Sequence, residues 1–228
     1  MYKFVTGRDQ EEVSEKLARF LADNATQVIT DKGVAKLGLA GGSSPKRAYE
    51  LFSDIFNLWE RTLIFPTDER YVPSEDRRSN YRMLRETLGE RAKIYRVKTE
   101  LPLRKACEDF NRALGMAGAL DLVLLGLGAD GHTASLFPCV PCEPCGENAC
   151  TSRSPDGLER VSMSLGYINS CKKVAFIVVG EKKRRALEGL LKGEDIPAVR
   201  VKGEEDTLIF TDLLQEARSE LQSKRSKH

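Results

Sequence analysis

Leu120-Asp121-Leu122-Val123-Leu124-Leu125, followed at once by Gly126-Leu127-Gly128-Ala129-Asp130-Gly131-His132, is the stretch that decides the fold. Its first six residues are apolar except Asp121. A strand with so few polar positions suits burial on both faces, as in the middle of a parallel sheet. Glycines break the run where the strand should end.

Upstream, Val34 to Leu39 is a second strand that breaks at Ala40-Gly41-Gly42-Ser43-Ser44. Pro45 then opens a helix, where its missing N–H costs nothing. Tyr2–Val5 and Thr62–Phe65 read as short strands, and Ile94–Val97 as extended chain. Glu11–Asn24, Asn80–Leu88 and Leu103–Met116 show helical spacing. Downstream, residues 138–158 interrupt the rhythm with proline, cysteine and glycine. Strands are then expected at Arg160–Leu165, Val174–Val179, Ala198–Val201 and Thr207–Thr211, with helices at Lys182–Lys192 and Leu213–Gln222. This alternation predicts an α/β fold with a mostly parallel sheet, without internal repeat or dividing linker, so residues 1–228 are expected to form one domain. Ligands in such sheets sit beyond the carboxyl ends of the strands, so the loops after Leu39, Phe65, Leu125 and Val179 should converge.

The chain has 228 residues, 36 Lys+Arg and 34 Asp+Glu, for a net charge of +2. Such a balance gives no overall pull toward nucleic acid or an anionic membrane, and neither is expected as a partner. The basic end, residues 223–228, reads as a solvated tail. No apolar run reaches the ~20 residues that span a bilayer, and the start lacks the basic-then-apolar order of a secretory signal; a cytoplasmic protein is expected. Of the two histidines, His132 and His228, the second is the final residue. Imidazole chemistry within the fold therefore falls to His132, and metal sites built on two or three histidines are disfavoured.

Four loops carry unusual residues. In the first, Gly41 and Gly42 allow close backbone approach, and Ser43 and Ser44 open a helix whose N–H groups could meet an anion; a tight turn capped by Ser44 is the plainer alternative. It is not a P-loop, which needs Lys and Ser/Thr after its second glycine. The second, Asp68-Glu69-Arg70 with Ser79-Asn80, suits acid–base work or a polar substrate, or else a helix cap with an ion pair. The third contains Gly126, Gly128 and Gly131, a formal match to the dinucleotide fingerprint, but Pro138, Pro141 and Pro144 follow in place of the required helix and return strand. It reads better as a turn presenting Asp130 and His132, a carboxylate and a general base for neutral pH, with a packing histidine as the alternative. The fourth, Gly180-Glu181-Lys182-Lys183, places cations at a helix start, unfavourable against the macrodipole unless an anion binds there. Arg160 could join the same anion or form a surface ion pair. No Gly-x-Ser-x-Gly elbow occurs, which disfavours an acyl-serine hydrolase.

Six cysteines are present, and four of them, Cys139, Cys142, Cys145 and Cys150, crowd one segment. Tetrahedral zinc on these four thiolates would be structural, with no open position for catalysis; disulfides or free thiols are the alternatives. Disulfides are uncommon in the cytosol outside hyperthermophiles.

Taken together, Leu39-Ala40-Gly41-Gly42-Ser43-Ser44-Pro45, Asp68-Glu69-Arg70, Ser79-Asn80, Gly126 to Pro138, Arg160-Val161-Ser162-Met163-Ser164 and Gly180-Glu181-Lys182-Lys183 resemble the 6-phosphogluconolactonase family, within the glucosamine/galactosamine-6-phosphate isomerase superfamily. The likeness is collinear to about residue 215, and its most specific part is Asp130-Gly131-His132-Thr133-Ala134-Ser135-Leu136-Phe137-Pro138. The related deaminases typically carry Asp-Glu-Tyr at 68–70 and Ile-Ala-Phe-Asn-Glu-Pro at 133–138, so both differences favour the lactonase. The cysteine segment departs from the usual lactonase loop. The resemblance implies a Rossmann-like three-layer sandwich and hydrolysis of 6-phospho-D-glucono-1,5-lactone in the pentose phosphate pathway. It also implies no cofactor and no catalytic metal. His132 would activate water, supported by Asp130 or Asp68. Backbone N–H groups at Gly41 and Gly42 would hold the oxyanion or the phosphate. Ser43, Arg160 and Lys183 would anchor the phosphate, and Arg70 would help position the substrate. The alternatives are a glucosamine-6-phosphate deaminase or isomerase, or a non-enzymatic sugar-phosphate sensor; for the latter, the short segment before Val34 leaves little space for a helix-turn-helix.

Overall fold

A computed structural model describes residues 1–214. The first half runs β1 (Lys3–Thr6), α1 (Gln10–Lys32), β2 (Ala35–Leu39), α2 (Ser43–Ile55), β3 (Thr62–Pro66), β4 (Asp68–Arg70), α3 (Asn80–Leu88) and β5 (Lys93–Ile94). Then come α4 (Leu103–Ala117), β6 (Leu122–Gly126), β7 (Glu143–Pro144), β8 (Ala149–Arg153), β9 (Glu159–Met163) and α5 (Leu165–Asn169). The last described elements are β10 (Lys173–Val178), α6 (Arg184–Lys192) and β11 (Asp206–Thr211).

Seven strands form one sheet in the order β1-β11-β10-β6-β2-β3-β5, and every pairing in it is parallel. β6 lies at its centre, and the periodicity of its side chains shows why the stretch had to be apolar. Val123 and Leu125 enter one core with α4 and α6, whereas Leu122 and Leu124 enter a second with α1, α2 and α3. β10 splits the same way, Val174, Phe176 and Val178 against Ala175 and Ile177. Helices therefore cover both faces, giving the expected three-layer α/β sandwich. Strand order turns at the β2–β6 pair: the chain leaves β2 toward β3 on one side and β6 toward β10 on the other. That switch point leaves a crevice beyond the carboxyl ends of β2 and β6.

Three expectations need correction. Arg160–Leu165 was expected as part of the strand–helix alternation, but β9 lies in a separate antiparallel sheet, β4-β9-β8-β7, laid over the α4 side of the core. Ala198–Val201 is not a strand: Pro197 sits at the first turn of a short 3-10 helix, Pro197–Arg200. Helix α1 runs on to Lys32, because Ala25 and Ile29 still reach the core, and ends at Gly33 in the left-handed conformation. The closing helix expected at Leu213–Gln222 lies outside the described residues from position 215, as does the basic tail.

The zinc reading of the cysteines is also overturned. Cys142 is bonded to Cys150 across the β7–β8 hairpin, and Cys145 is bonded to Cys107 of α4. Cys139 is unbonded and exposed, and Cys171 is a buried free thiol. Three of the four proposed zinc ligands are thus oxidised sulfurs rather than thiolates. Among the described residues no group of three or more metal-ligating side chains converges. No described helix is long and apolar enough to cross a membrane.

Candidate active site

The four loops meet at the β2–β6 switch point around a cavity of about 580 Å³, within the usual size of a small-molecule site. Its walls include Gly41, Gly42 and Ser43, then Asp68 and Arg70, then Asp130 and His132, and finally Arg160 and Lys183. Every residue to which the family resemblance assigns a catalytic or substrate-binding role therefore reaches one cavity.

The loop after β6 builds a rigid dyad. Gly128 N–H donates to the His132 carbonyl (2.8 Å), and Gly131 N–H donates to the Gly128 carbonyl (3.0 Å), closing a tight turn with Gly131 at φ +84°. Asp130 Oδ1 accepts from both the His132 backbone N–H (3.1 Å) and ring Nδ1 (2.5 Å). That bond fixes the tautomer and leaves Nε2 as the nitrogen available to a substrate. Burial would raise the Asp130 pKa, but donation from the His132 backbone and ring outweighs it and holds the carboxyl below its ordinary value. Gly128 is obligatory here: a Cβ would fall on the imidazole and on Asp130. The Phe137 ring packs on the imidazole at 4.8 Å between centroids. Ala134, also in the cavity wall, holds φ +48°, a left-handed backbone uncommon outside glycine and asparagine.

Asp68 does not bond His132. Its Oδ2 accepts from Ser135 Oγ (2.5 Å), and Ser135 in turn accepts at its carbonyl from Ser152 Oγ (2.6 Å) and donates its N–H to Ser162 Oγ (3.2 Å). This buried serine cluster ties the active loop to β8 and β9. Glu69 turns away from the cavity and is 2% exposed. Its carboxylate accepts from the N–H groups of Arg70 (2.8 Å), Asn80 (2.7 Å) and Tyr81 (2.8 Å) and from Ser79 Oγ (3.1 Å). Burial pushes its pKa up against these donors. Glu69 therefore matches the helix-cap alternative, with α3 as the helix it serves.

Three cations line the cavity. Arg70 donates to the Arg78 carbonyl (2.8 Å) and to Asn80 Oδ1 (2.6 Å). The Arg160 guanidinium lies 6.0 Å from the Phe137 ring centre, and burial pulls its pKa down against the charge of Asp68. Burial likewise lowers Lys183, opposed by the charge of Asp130. Lowered pKa values on two half-buried cations mark places where a bound anion would restore lost solvation. In the first loop the N-cap of α2 is Gly42 at φ +95°, with no side-chain cap, rather than Ser44. The first N–H groups of α2 thus lack the side-chain acceptor that a serine cap would have supplied.

Sequence reasoning passed over part of the wall. Ser154, Pro155 and Asp156, in the turn between β8 and β9, reach the cavity from the second sheet. Nothing in the pattern flagged that sheet. Asn80 and Phe137 lay inside quoted motifs, but periodicity alone gave them no role.

Residues 8–210 match the family model described as glucosamine-6-phosphate isomerases/6-phosphogluconolactonase. The chain belongs to this family. It is 35% identical over 193 residues to a 6-phosphogluconolactonase of Thermotoga maritima, a match covering 81% of this chain and 87% of that protein. It is 34% identical over 187 residues to a 6-phosphogluconolactonase of Synechocystis sp., covering 75% and 78% of the two chains. The crystal structure of the Thermotoga maritima 6-phosphogluconolactonase superposes with a TM-score of 0.81 and 28% identity, covering 92% of this chain and 99% of that one.

Proposed function

We propose that the protein hydrolyses 6-phospho-D-glucono-1,5-lactone to 6-phospho-D-gluconate, the lactonase step of the pentose phosphate pathway, with His132 as general base. The observation that carries this is the Asp130–His132 dyad, joined at 2.5 Å, in the same cavity as Arg70, Arg160 and Lys183. One imidazole beside three cations suits an anionic substrate that needs only a proton moved.

Water attacks the lactone carbonyl while His132 Nε2 takes its proton. Asp130 holds the ring and stabilises the imidazolium. As the tetrahedral intermediate collapses, the same nitrogen returns the proton to the ring oxygen, which leaves as a hydroxyl. Base catalysis of this kind supplies ~10²–10⁴-fold. Arg70, Arg160, Lys183 and Ser43 hold the phosphate, so binding energy remote from the carbonyl orients it for attack. The Gly41-Gly42 turn and the start of α2 offer backbone N–H groups to developing negative charge. No step calls for a metal or cofactor.

The test is a coupled assay on freshly prepared lactone, corrected for spontaneous hydrolysis, with ammonia release from glucosamine 6-phosphate measured beside it. Lactone hydrolysis far above background without ammonia is expected. Background-level hydrolysis, or ammonia release, overturns the reading.

A further inference from the structure

We infer that Asn80 is a positioning residue for the phosphate end of the substrate: its side-chain amide holds Arg70 in the cavity and sets the level of the Gly41 turn. This rests on the reading that Arg70 meets the phosphate.

Asn80 is the first residue of α3, is 1% exposed, and lies in the cavity wall. Its Nδ2 donates to the Asp68 carbonyl (2.8 Å) and lies 3.4 Å from Asp68 Oδ1, and its Oδ1 accepts from Arg70 Nη1 (2.6 Å). These partners fix the amide's orientation, since a carbonyl can only accept and a guanidinium can only donate. The residue must therefore donate one way and accept the other. Leucine does neither, and aspartate has no donor for the Asp68 carbonyl.

Glu69 fixes the backbone beneath this amide, because its Oε1 accepts from both Arg70 N–H and Asn80 N–H. One buried carboxylate thus aligns the two residues whose side chains then bond each other. The third contact is steric. A Cβ on Gly41 would overlap the Asn80 amide, so the first loop rests directly on this side chain. Asn80 thereby touches the turn after β2 and strand β4 from the start of helix α3. Arginine recognises phosphate through planar, directed bonds, so an unheld guanidinium loses affinity by rotating rather than by losing charge.

The test compares wild type, Arg70→Ala, Asn80→Asp, Asn80→Ala and the Arg70→Ala/Asn80→Asp double variant. Dissociation constants for 6-phosphogluconate and for unphosphorylated gluconate are measured by calorimetry, and kcat and KM on the lactone are measured in the same preparations. Asn80→Asp keeps the side-chain volume but sets a carboxylate oxygen against the Asp68 carbonyl in place of the donor, so the group that holds Arg70 turns out of line. It is expected to weaken 6-phosphogluconate binding at least tenfold and gluconate binding less than threefold, with the kinetic loss falling on KM. The double variant should bind no more weakly than Arg70→Ala. Asn80→Ala should show the same phosphate-selective loss if it folds, and Asn80→Asp decides the matter if it does not. Wild-type-like binding by Asn80→Asp, equal losses on both ligands, or multiplying losses in the double variant would overturn the role. Failure of wild type to hydrolyse the lactone would instead refute the functional reading.

Discussion

Severing the bond between Cys107 and Cys145 gives a perturbation whose size can be worked from the fold. The two residues are 38 positions apart. In the chain-entropy relation, a closed loop of that length restricts the unfolded state by about 4 kcal/mol at 25 °C. The second bridge spans only 8 positions, for which the same relation gives about 2.5 kcal/mol. Cys145→Ser is the cleaner way to break the longer bridge, since Cys107 is fully buried in the α4 core and stays in place. With a urea m-value of about 3 kcal/mol/M, a loss of about 4 kcal/mol lowers the unfolding midpoint by roughly 1.3 M. Urea titrations followed by circular dichroism, with and without a dithiol reductant, measure this directly. Reductant should lower wild type further than Cys145→Ser alone, because it opens both bridges. A shift below about 0.3 M, corresponding to less than ~1 kcal/mol, would mean that this bridge does little to restrict the unfolded chain.

Thiol labelling gives a companion result: Cys139 alone should react in the native state, and Cys171, whose thiol burial pushes up to about 11, should react only on unfolding. Reduction of the unfolded chain should raise the count to all six cysteines. Gly128→Ala drives a methyl group onto the imidazole and Asp130, so kcat should fall by ~10² or more while 6-phosphogluconate binding changes little. Asp130, held below its ordinary pKa in the fold, contributes stability that is full above the unfolded carboxylate value of about 3.9 and is lost as pH falls through the lower folded value. The gap in urea midpoint between wild type and Asp130→Asn should therefore be widest near neutrality and close in acid; a constant gap down to about pH 2.5 would contradict it.

The parallel sheet was legible because burial on both faces removes polar residues from β6 and β10, and that purge is visible in sequence. The loops were legible because parallel strands place their carboxyl ends at one edge, so glycine, carboxylate and histidine after successive strands must meet. The second sheet was hidden for the opposite reason. β8 reads Ala149-Cys150-Thr151-Ser152-Arg153 and β4 only Asp68-Glu69-Arg70, and short strands of mixed polarity carry no period. The turn bearing Ser154 and Asp156 went unnoticed with it. Cysteine spacing misled because Cys145 pairs outside its cluster, with Cys107 on a helix, and spacing cannot encode connectivity. The choice between Asp130 and Asp68 as partner to His132 needed geometry. Both carboxylates reach the cavity, but only Asp130 bonds the ring, while Asp68 is engaged by Ser135.

The role of His132 is tested most directly by kcat for His132→Ala on freshly prepared 6-phosphogluconolactone, corrected for spontaneous hydrolysis and paired with 6-phosphogluconate binding to show that the cavity is intact. Near-normal binding and a turnover reduced by ~10²–10⁴ are expected. Turnover within a few-fold of wild type in a protein that still binds the product would contradict that role.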